Sequence, residues 1–293
     1  MNILKKEVRN SIYNIYFIIP CCLGSILSLI YSFKVIDMYL QYRKHISFDE
    51  ILTQNTLAPT FNAYMLWIGG PRLEDDKTSI IFFWYIILAA VIPYTWSYCA
   101  KRKLAKNNKK IFDDSIPNKF RQYIAVFISS GLLAAIPLLV NLISVLMFIP
   151  ATKPDPVYNV YYREFSSSLF GELYYSVPIL YELLYIIFFF VFCGLIGCVV
   201  YSISLIIKNT VIGISFTILL IFATHFLKNK LYFTYKHISP LEYMNVADKM
   251  FRNYKIMFIE MTLMFVITIF LILISKSKLK NKNIVNNIAE VNK

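Results

Sequence analysis

Long apolar runs separated by shorter polar stretches dominate this sequence. A bilayer core about 30 Å thick needs roughly 20 apolar residues of helix to cross it, and six windows meet that requirement. We therefore predict an all-α polytopic membrane protein, one transmembrane domain over residues 1–293 with a tail at 276–293. The predicted spans are residues 12–33, 80–99, 122–149, 181–207, 211–227 and 256–275.

An amphipathic helix is predicted before the first span. Its apolar residues fall on one arc of a helical wheel and its cations fall on the other side. We expect this helix to lie on the inner membrane surface, although the same cations also fit a basic segment that only sets topology. The apolar set is Met1, Leu4, Val8 and Ile12, and the basic set is Lys5, Lys6 and Arg9.

The net charge of +13 is explained by topology and requires no nucleic-acid partner. All 30 Lys and Arg residues lie outside the six windows. With the N-terminus inside, 17 of them fall on the inner side and 13 on the outer side, as the positive-inside rule expects. The six cations of 228–255 fit this rule poorly. The even number of spans, which leaves both basic ends on one side, still favours the inward orientation.

No catalytic or metal-binding pattern is present. No Gly is followed by Lys, so the chain has no phosphate-binding P-loop. It has no H-E-x-x-H and no G-x-S-x-G, and its three His residues are widely separated. The five cysteines lie in or beside spans, where packing explains them. We expect no enzyme activity, no metal and no cofactor in this chain itself.

Two acidic residues fall within the windows. Glu182 opens the fourth window, and Glu260 lies about five residues inside the sixth. Ionisable groups in a span are costly and by default face the bundle interior or a water-filled path. We interpret both as a polar lining near the outer mouth of a pathway. The alternative, favoured for Glu182, is a carboxylate stabilised at a helix N-terminus.

Three connecting segments have apolar content that needs burial. In the first outer loop, FNAYMLWIGGP is too short to span and is either a dip into the outer interface or a small packed cap. The loop after the second span contains IFDDSIPNKF, a short helix whose apolar side suggests a protein partner. The stretch 229–254, with HISPLEYMN in its middle, is predicted to be a re-entrant helical hairpin broken at Pro240.

The whole layout resembles the membrane (permease) subunit of type-2 ABC exporters. ISPLEY is similar to the Ser-Pro-aromatic signature in the outer hairpin of that family, and Lys110–Tyr123 resembles its coupling helix. The resemblance implies an outer gate and a contact with an ATPase. The gate residues would be Ile238, Ser239, Pro240, Leu241, Glu242 and Tyr243; the coupling residues would be Ile111, Phe112, Asp113, Asp114, Ile116, Pro117 and Arg121.

The same resemblance implies a function and partners. The chain would export an amphipathic peptide, lipid or drug across a bacterial cytoplasmic membrane, with ATP and Mg bound by a separate ATP-binding cassette subunit. A second copy or a paralogue would complete a twelve-span pathway within the lipid bilayer. The alternative is a stand-alone polytopic protein, either an immunity or sensor-type protein or a secondary transporter.

The topology gives the first testable expectation. Six spans and basic segments at both ends predict that the N- and C-termini are both cytoplasmic. Cysteines introduced at residues 3 and 290 should then react with membrane-impermeant maleimide only after the cells are opened. Labelling of the C-terminal cysteine in intact cells would contradict the six-span arrangement.

Overall fold

A computed structural model describes the greater part of the chain, and helix is the only regular secondary structure in that part. The described residues are 2–48, 61–70, 76–93, 95–97, 116–158, 170–207, 210–228, 258–259, 261–271 and 273. No β-strand occurs among them. The predicted all-α class is therefore confirmed.

Nine α-helices are labelled among these residues, and a short 3-10 helix lies at Pro156–Tyr158. In chain order the α-helices are α1 Asn2–Ile12, α2 Ile15–Phe48, α3 Ala63–Leu66, α4 Lys77–Ala90, α5 Ile116–Phe148, α6 Gly171–Ser176, α7 Pro178–Ile207, α8 Thr210–Lys228 and α9 Met261–Leu271. Pro178 opens α7, a position that suits proline because its missing N–H would have no helical partner there.

Four helical stretches are long and apolar enough to cross a membrane. They are Ile15–Lys44, Lys77–Ser97, Phe120–Phe148 and Pro178–Leu205, and they coincide with the first four predicted windows. The fifth and sixth windows contain the shorter apolar helices Ile214–Ala223 and Met261–Leu271. A membrane-embedded protein is thus supported, whereas the count of six spans stays a prediction.

The four long helices form an up-down-up-down bundle. Phe17 of α2 packs with Leu133 of α5, and further along both helices Ser28 and Ser32 bond to Asn141, so α2 and α5 run parallel with their starts at the same end. Tyr85 of α4 bonds to Pro20, whereas Asp76 before α4 pairs with Lys34, so α4 is antiparallel to α2. Gln122, near the start of α5, bonds to Tyr201, near the end of α7, so that pair is antiparallel. We call the end holding the starts of α2 and α5 the proximal end, and the opposite end the distal end.

Helix α5 occupies the centre of the bundle and packs against α1, α2, α3, α4 and α7. Its approach to α7 depends on glycine, because small residues allow two helix backbones to come close in lipid. A Cβ atom on Gly131 would lie 2.6 Å from the Phe190 carbonyl oxygen, and one on Gly194 would lie 2.9 Å from that of Phe127. The α5–α7 contact is therefore made partly backbone to backbone.

Helix α1 is docked onto the proximal end of this bundle. Val8 packs on the buried cluster that includes Tyr123 and Tyr201, and Ile12 packs on the cluster formed by Phe17, Ala89 and Leu133. The apolar side of α1 is thus covered by protein. This finding refines the expected surface helix, whose apolar side we had assigned to lipid.

Asn14 separates α1 from α2 and fixes the start of the second helix. Its side-chain oxygen accepts a hydrogen bond from the Tyr16 amide at 3.2 Å, as an N-cap residue does. Its side-chain nitrogen donates to the Ser97 hydroxyl at 2.8 Å. The same side chain therefore caps α2 and attaches its start to the end of the second span.

The glycine contact gives a paired test of the bundle. Gly131→Ala gains roughly 1 kcal/mol of helix propensity, yet its new methyl meets a backbone oxygen that cannot move without separating α5 from α7. We expect a lower unfolding temperature. Gly24→Ala is the matched control, because its methyl meets only side-chain atoms, Pro137 at 3.1 Å and Tyr85 at 3.3 Å. In the same detergent, the unfolding temperature of Gly131→Ala should be lower than that of Gly24→Ala. The reverse order would contradict the close approach of α5 and α7.

Candidate functional site

A short irregular segment is enclosed within the distal half of the bundle. All residues from Asn62 to Gly70 are buried, and α3 within this segment packs against α5 and α7. Non-helical backbone is tolerated at membrane depth only where protein or a water-filled cavity surrounds it. The segment therefore dips into the bundle, and the predicted packed alternative describes it better than a dip into the lipid interface.

Two hydrogen bonds fix the entry of this segment at the distal end. The Ala63 amide donates to the Pro150 carbonyl at 3.0 Å, just beyond the end of α5. The side chain of Asn62 accepts from the Met65 amide at 3.0 Å and so caps α3. These bonds satisfy backbone groups that a one-turn helix cannot satisfy by itself.

The inner limit of the segment is fixed by Asn141. Its side-chain oxygen accepts from the Ile68 amide at 2.8 Å, and its nitrogen donates to the Ser32 hydroxyl at 2.8 Å and to the Ser28 carbonyl at 3.0 Å. Asn141 lies seven residues before the end of α5, which is about 10 Å along the helix. One fully buried amide thus joins α2, α5 and the segment inside the apolar span.

Aromatic and glycine residues complete the packing of the segment. Trp67 is fully buried, and the hydroxyl of Tyr31 in α2 donates to its carbonyl at 3.5 Å. A Cβ atom on Gly69 would overlap the Trp67 ring, and one on Gly70 would overlap the Met65 carbonyl. The glycine pair is therefore required by space, since a side chain at either position would clash with residues of the segment itself and force it to change conformation.

A buried carboxyl group lies beside this segment. Glu182, in the second turn of α7, has no exposed surface. Tyr181 and Tyr185 flank it in α7, with their ring centres 5.1 Å apart, and Tyr174 of α6 stacks edge-on at 5.2 Å from Tyr181. Tyr64 of α3 is buried and lies close enough to Glu182 for the two side chains to interact electrostatically.

The structure describes only some of the residues assigned from sequence. Ile116 and Pro117 form the first turn of α5 at the proximal end, and Arg121 follows one turn later. Glu182 is buried at the distal end. The described coupling residues and Glu182 therefore lie at opposite ends of the bundle. The other assigned residues lie outside the described part of the chain: Ile111, Phe112, Asp113 and Asp114 of the coupling segment, the gate residues 238–243, and Glu260.

Sequence reasoning missed Asn141 and its serine partners. Asn141 is an amide within an otherwise apolar span, and polar side chains in spans commonly bond across helices. That signal alone would have selected the residue. Its partner in the segment is 73 positions away in sequence, and no local pattern identifies a contact of that range.

No protein-family model, curated protein or solved structure matches this chain. Among the described residues, no group of His, Cys, Asp and Glu is arranged to hold a metal ion. The buried segment, Asn141 and Glu182 are therefore interpreted from their own geometry.

Asn141 offers a direct test of this geometry. Asn141→Leu keeps the approximate volume but leaves the buried Ile68 amide without its acceptor, at a cost of about 1–3 kcal/mol. Ser144→Ala is the control, because the Ser144 hydroxyl bonds only within its own helix, to the Val140 carbonyl. Hydrogen exchange of residues 62–70 should rise roughly tenfold or more in Asn141→Leu and stay unchanged in Ser144→Ala. Equal protection in both variants would show that Asn141 does not hold the segment.

Proposed function

We propose that this chain is the membrane permease subunit of an ATP-driven exporter for an amphipathic peptide, lipid or drug. The observation that carries the proposal is the irregular segment Asn62–Gly70, held inside a bundle of apolar helices beside the buried Glu182. Broken backbone at membrane depth is typical of transport proteins, where it forms binding sites and gates. An intramembrane carboxyl group is by default a functional residue as well.

Helix α5 supplies a mechanical connection for such a permease. It begins at Ile116, four residues before its apolar span, and so extends beyond that span at the proximal end. The same helix holds the distal segment through Asn141, 25 residues later and about 37 Å away along the axis. A helix that contacts an ATPase at one end and the buried segment at the other links the two sites physically.

Pro137 provides a point where α5 can bend. A proline inside a helix removes one backbone hydrogen bond and is a common origin of kinks, and Pro137 lies one turn before Asn141. In the proposed cycle, ATP binding by the partner moves the proximal part of α5. The distal part then withdraws Asn141 from Ile68 and releases the segment.

The partners follow from this division of roles. A separate ATP-binding cassette subunit, with its ATP and Mg, would contact the coupling segment and the first turn of α5 in the cytoplasm. A second copy or a paralogue would complete the pathway in the bacterial cytoplasmic membrane.

One observation favours a second candidate, a secondary transporter. Buried carboxyl groups serve as proton carriers in such proteins, and Glu182 is completely buried. The two candidates differ in their energy source. Substrate movement in vesicles that continues without ATP but stops when the proton gradient is dissipated would favour the secondary transporter.

The permease proposal is tested at the predicted coupling segment. The full chain, purified in mild detergent from its native membrane, should bring with it a vanadate-sensitive ATPase. Phe112→Asp should reduce that co-purified activity at least about tenfold, because a carboxylate in an apolar contact is costly. Asn108→Asp is the matched control, since it adds the same charge at a polar position of the same loop.

Membrane insertion should be normal in both variants. A wild-type chain that purifies without any ATPase would overturn the permease proposal. If both variants retain the ATPase equally, the complex forms as proposed, but its contact with the ATPase does not include Phe112.

A further inference from the structure

Three exposed cations on α1 and the tyrosine just after its end form a stripe. Lys5, Arg9 and Tyr13 follow one another at four-residue spacing, which places them on one side of a helix, and Lys6 lies beside them. All four are exposed, Tyr13 with 79% of its surface. We call Lys5, Lys6, Arg9 and Tyr13 the basic stripe.

Another side of α1 contacts the bundle. Ser11 is buried, and the partly buried Val8 and Ile12 pack on the two proximal clusters. These contacts orient α1 relative to α5. The exposed basic stripe flanks this contact face and is left uncovered by the described part of the bundle.

Exposed apolar side chains mark the membrane level next to this stripe. Ile15, the first residue of α2, is 61% exposed, and Phe120, where the α5 span begins, is 68% exposed. Such residues at the start of two spans are expected to meet lipid chains. Helix α1 ends three residues before Ile15, so its C-terminal end is adjacent to the start of the α2 span.

The charges of the stripe are available to an external partner. Within the described part of the chain, Lys5, Lys6 and Arg9 take part in no ion pair. By contrast, Lys34 toward the distal end is paired with Asp76. Lys and Arg beside a membrane are attracted to anionic lipids, and tyrosine favours the headgroup region.

We propose that the basic stripe binds anionic phospholipid headgroups of the bilayer and thereby holds α1 and the proximal end of α5 in place. The partner is identified by charge complementarity and by position, since the stripe offers three exposed cations close in sequence to the start of an apolar span. This inference does not depend on the proposed transport function.

The experiment compares thermal unfolding of the full chain in two kinds of nanodisc. One kind contains phosphatidylcholine alone, and the other contains an equimolar mixture with phosphatidylglycerol. The anionic lipid should raise the unfolding midpoint of the wild type by several degrees, and high salt should remove most of that rise because it screens exposed charges. A triple variant, Lys5→Gln with Lys6→Gln and Arg9→Gln, should lose most of the rise at any salt concentration.

Two further variants separate charge from fold. Arg43→Gln with Lys77→Gln and Lys153→Gln removes the same charge from exposed positions toward the distal end and should keep the full rise. Lys5→Arg with Lys6→Arg and Arg9→Lys keeps the charge and should keep the rise too. The proposal is overturned if the stripe variant retains the rise, if the distal variant loses as much, or if the charge-conserving variant loses it.

A last arm distinguishes lipid from free anion. Inorganic phosphate added to phosphatidylcholine nanodiscs should leave the midpoint of the wild type unchanged. If phosphate alone reproduces the rise, the stripe is a site for a soluble anion and the lipid proposal is wrong.

Discussion

The side chain of Asn141 is the contact on which the distal half of this bundle depends. A membrane offers no water to backbone groups, so any irregular segment placed inside a span must find its hydrogen-bond partners within the protein. Asn141 supplies the acceptor for Ile68 and, with its nitrogen, binds the Ser28 carbonyl and the Ser32 hydroxyl. An aliphatic residue at this position would remove all three bonds together. The side-chain amide of Asn141 therefore takes part in three features. It binds the buried segment, joins α2 to α5, and belongs to the enclosure around Trp67.

The two ends of the bundle are packed in different ways. At the proximal end, an amphipathic helix covers the packed starts of the spans and directs its cations outward. Here Gln122 and Tyr123 of α5 bond to Tyr201 and Ser202 of α7, so polar side chains within the bundle satisfy one another. At the distal end, the interior is filled by a segment that carries a tryptophan and two glycines. Helix α5 contacts both arrangements, through α1 at the proximal end and α3 at the distal end.

Helix α5 combines stiffness with one permitted point of bending. Its contact with α7 is close because Gly131 and Gly194 each face a backbone oxygen of the other helix, and a closely packed interface resists gradual deformation. Pro137 interrupts the hydrogen-bond ladder between this packed part and Asn141. Motion of the distal part of α5 relative to the proximal part is therefore easier than separation of α5 from α7.

The sequence by itself determined that the chain is all-helical and membrane-embedded, where its first four spans lie, and where its amphipathic entry helix lies. These features depend on composition within windows of about 20 residues, because the length of a span is set by the thickness of the bilayer. Only the tertiary structure decided that α1 covers protein and that FNAYMLWIGG enters the bundle. Glu182 was visible in the sequence as an ionisable group near a span end, but its complete burial beside Tyr64 was not. The physical reason is range: apolar character acts locally along the chain, whereas the bond from Ile68 to Asn141 joins positions 73 residues apart and exists only once the helices have packed.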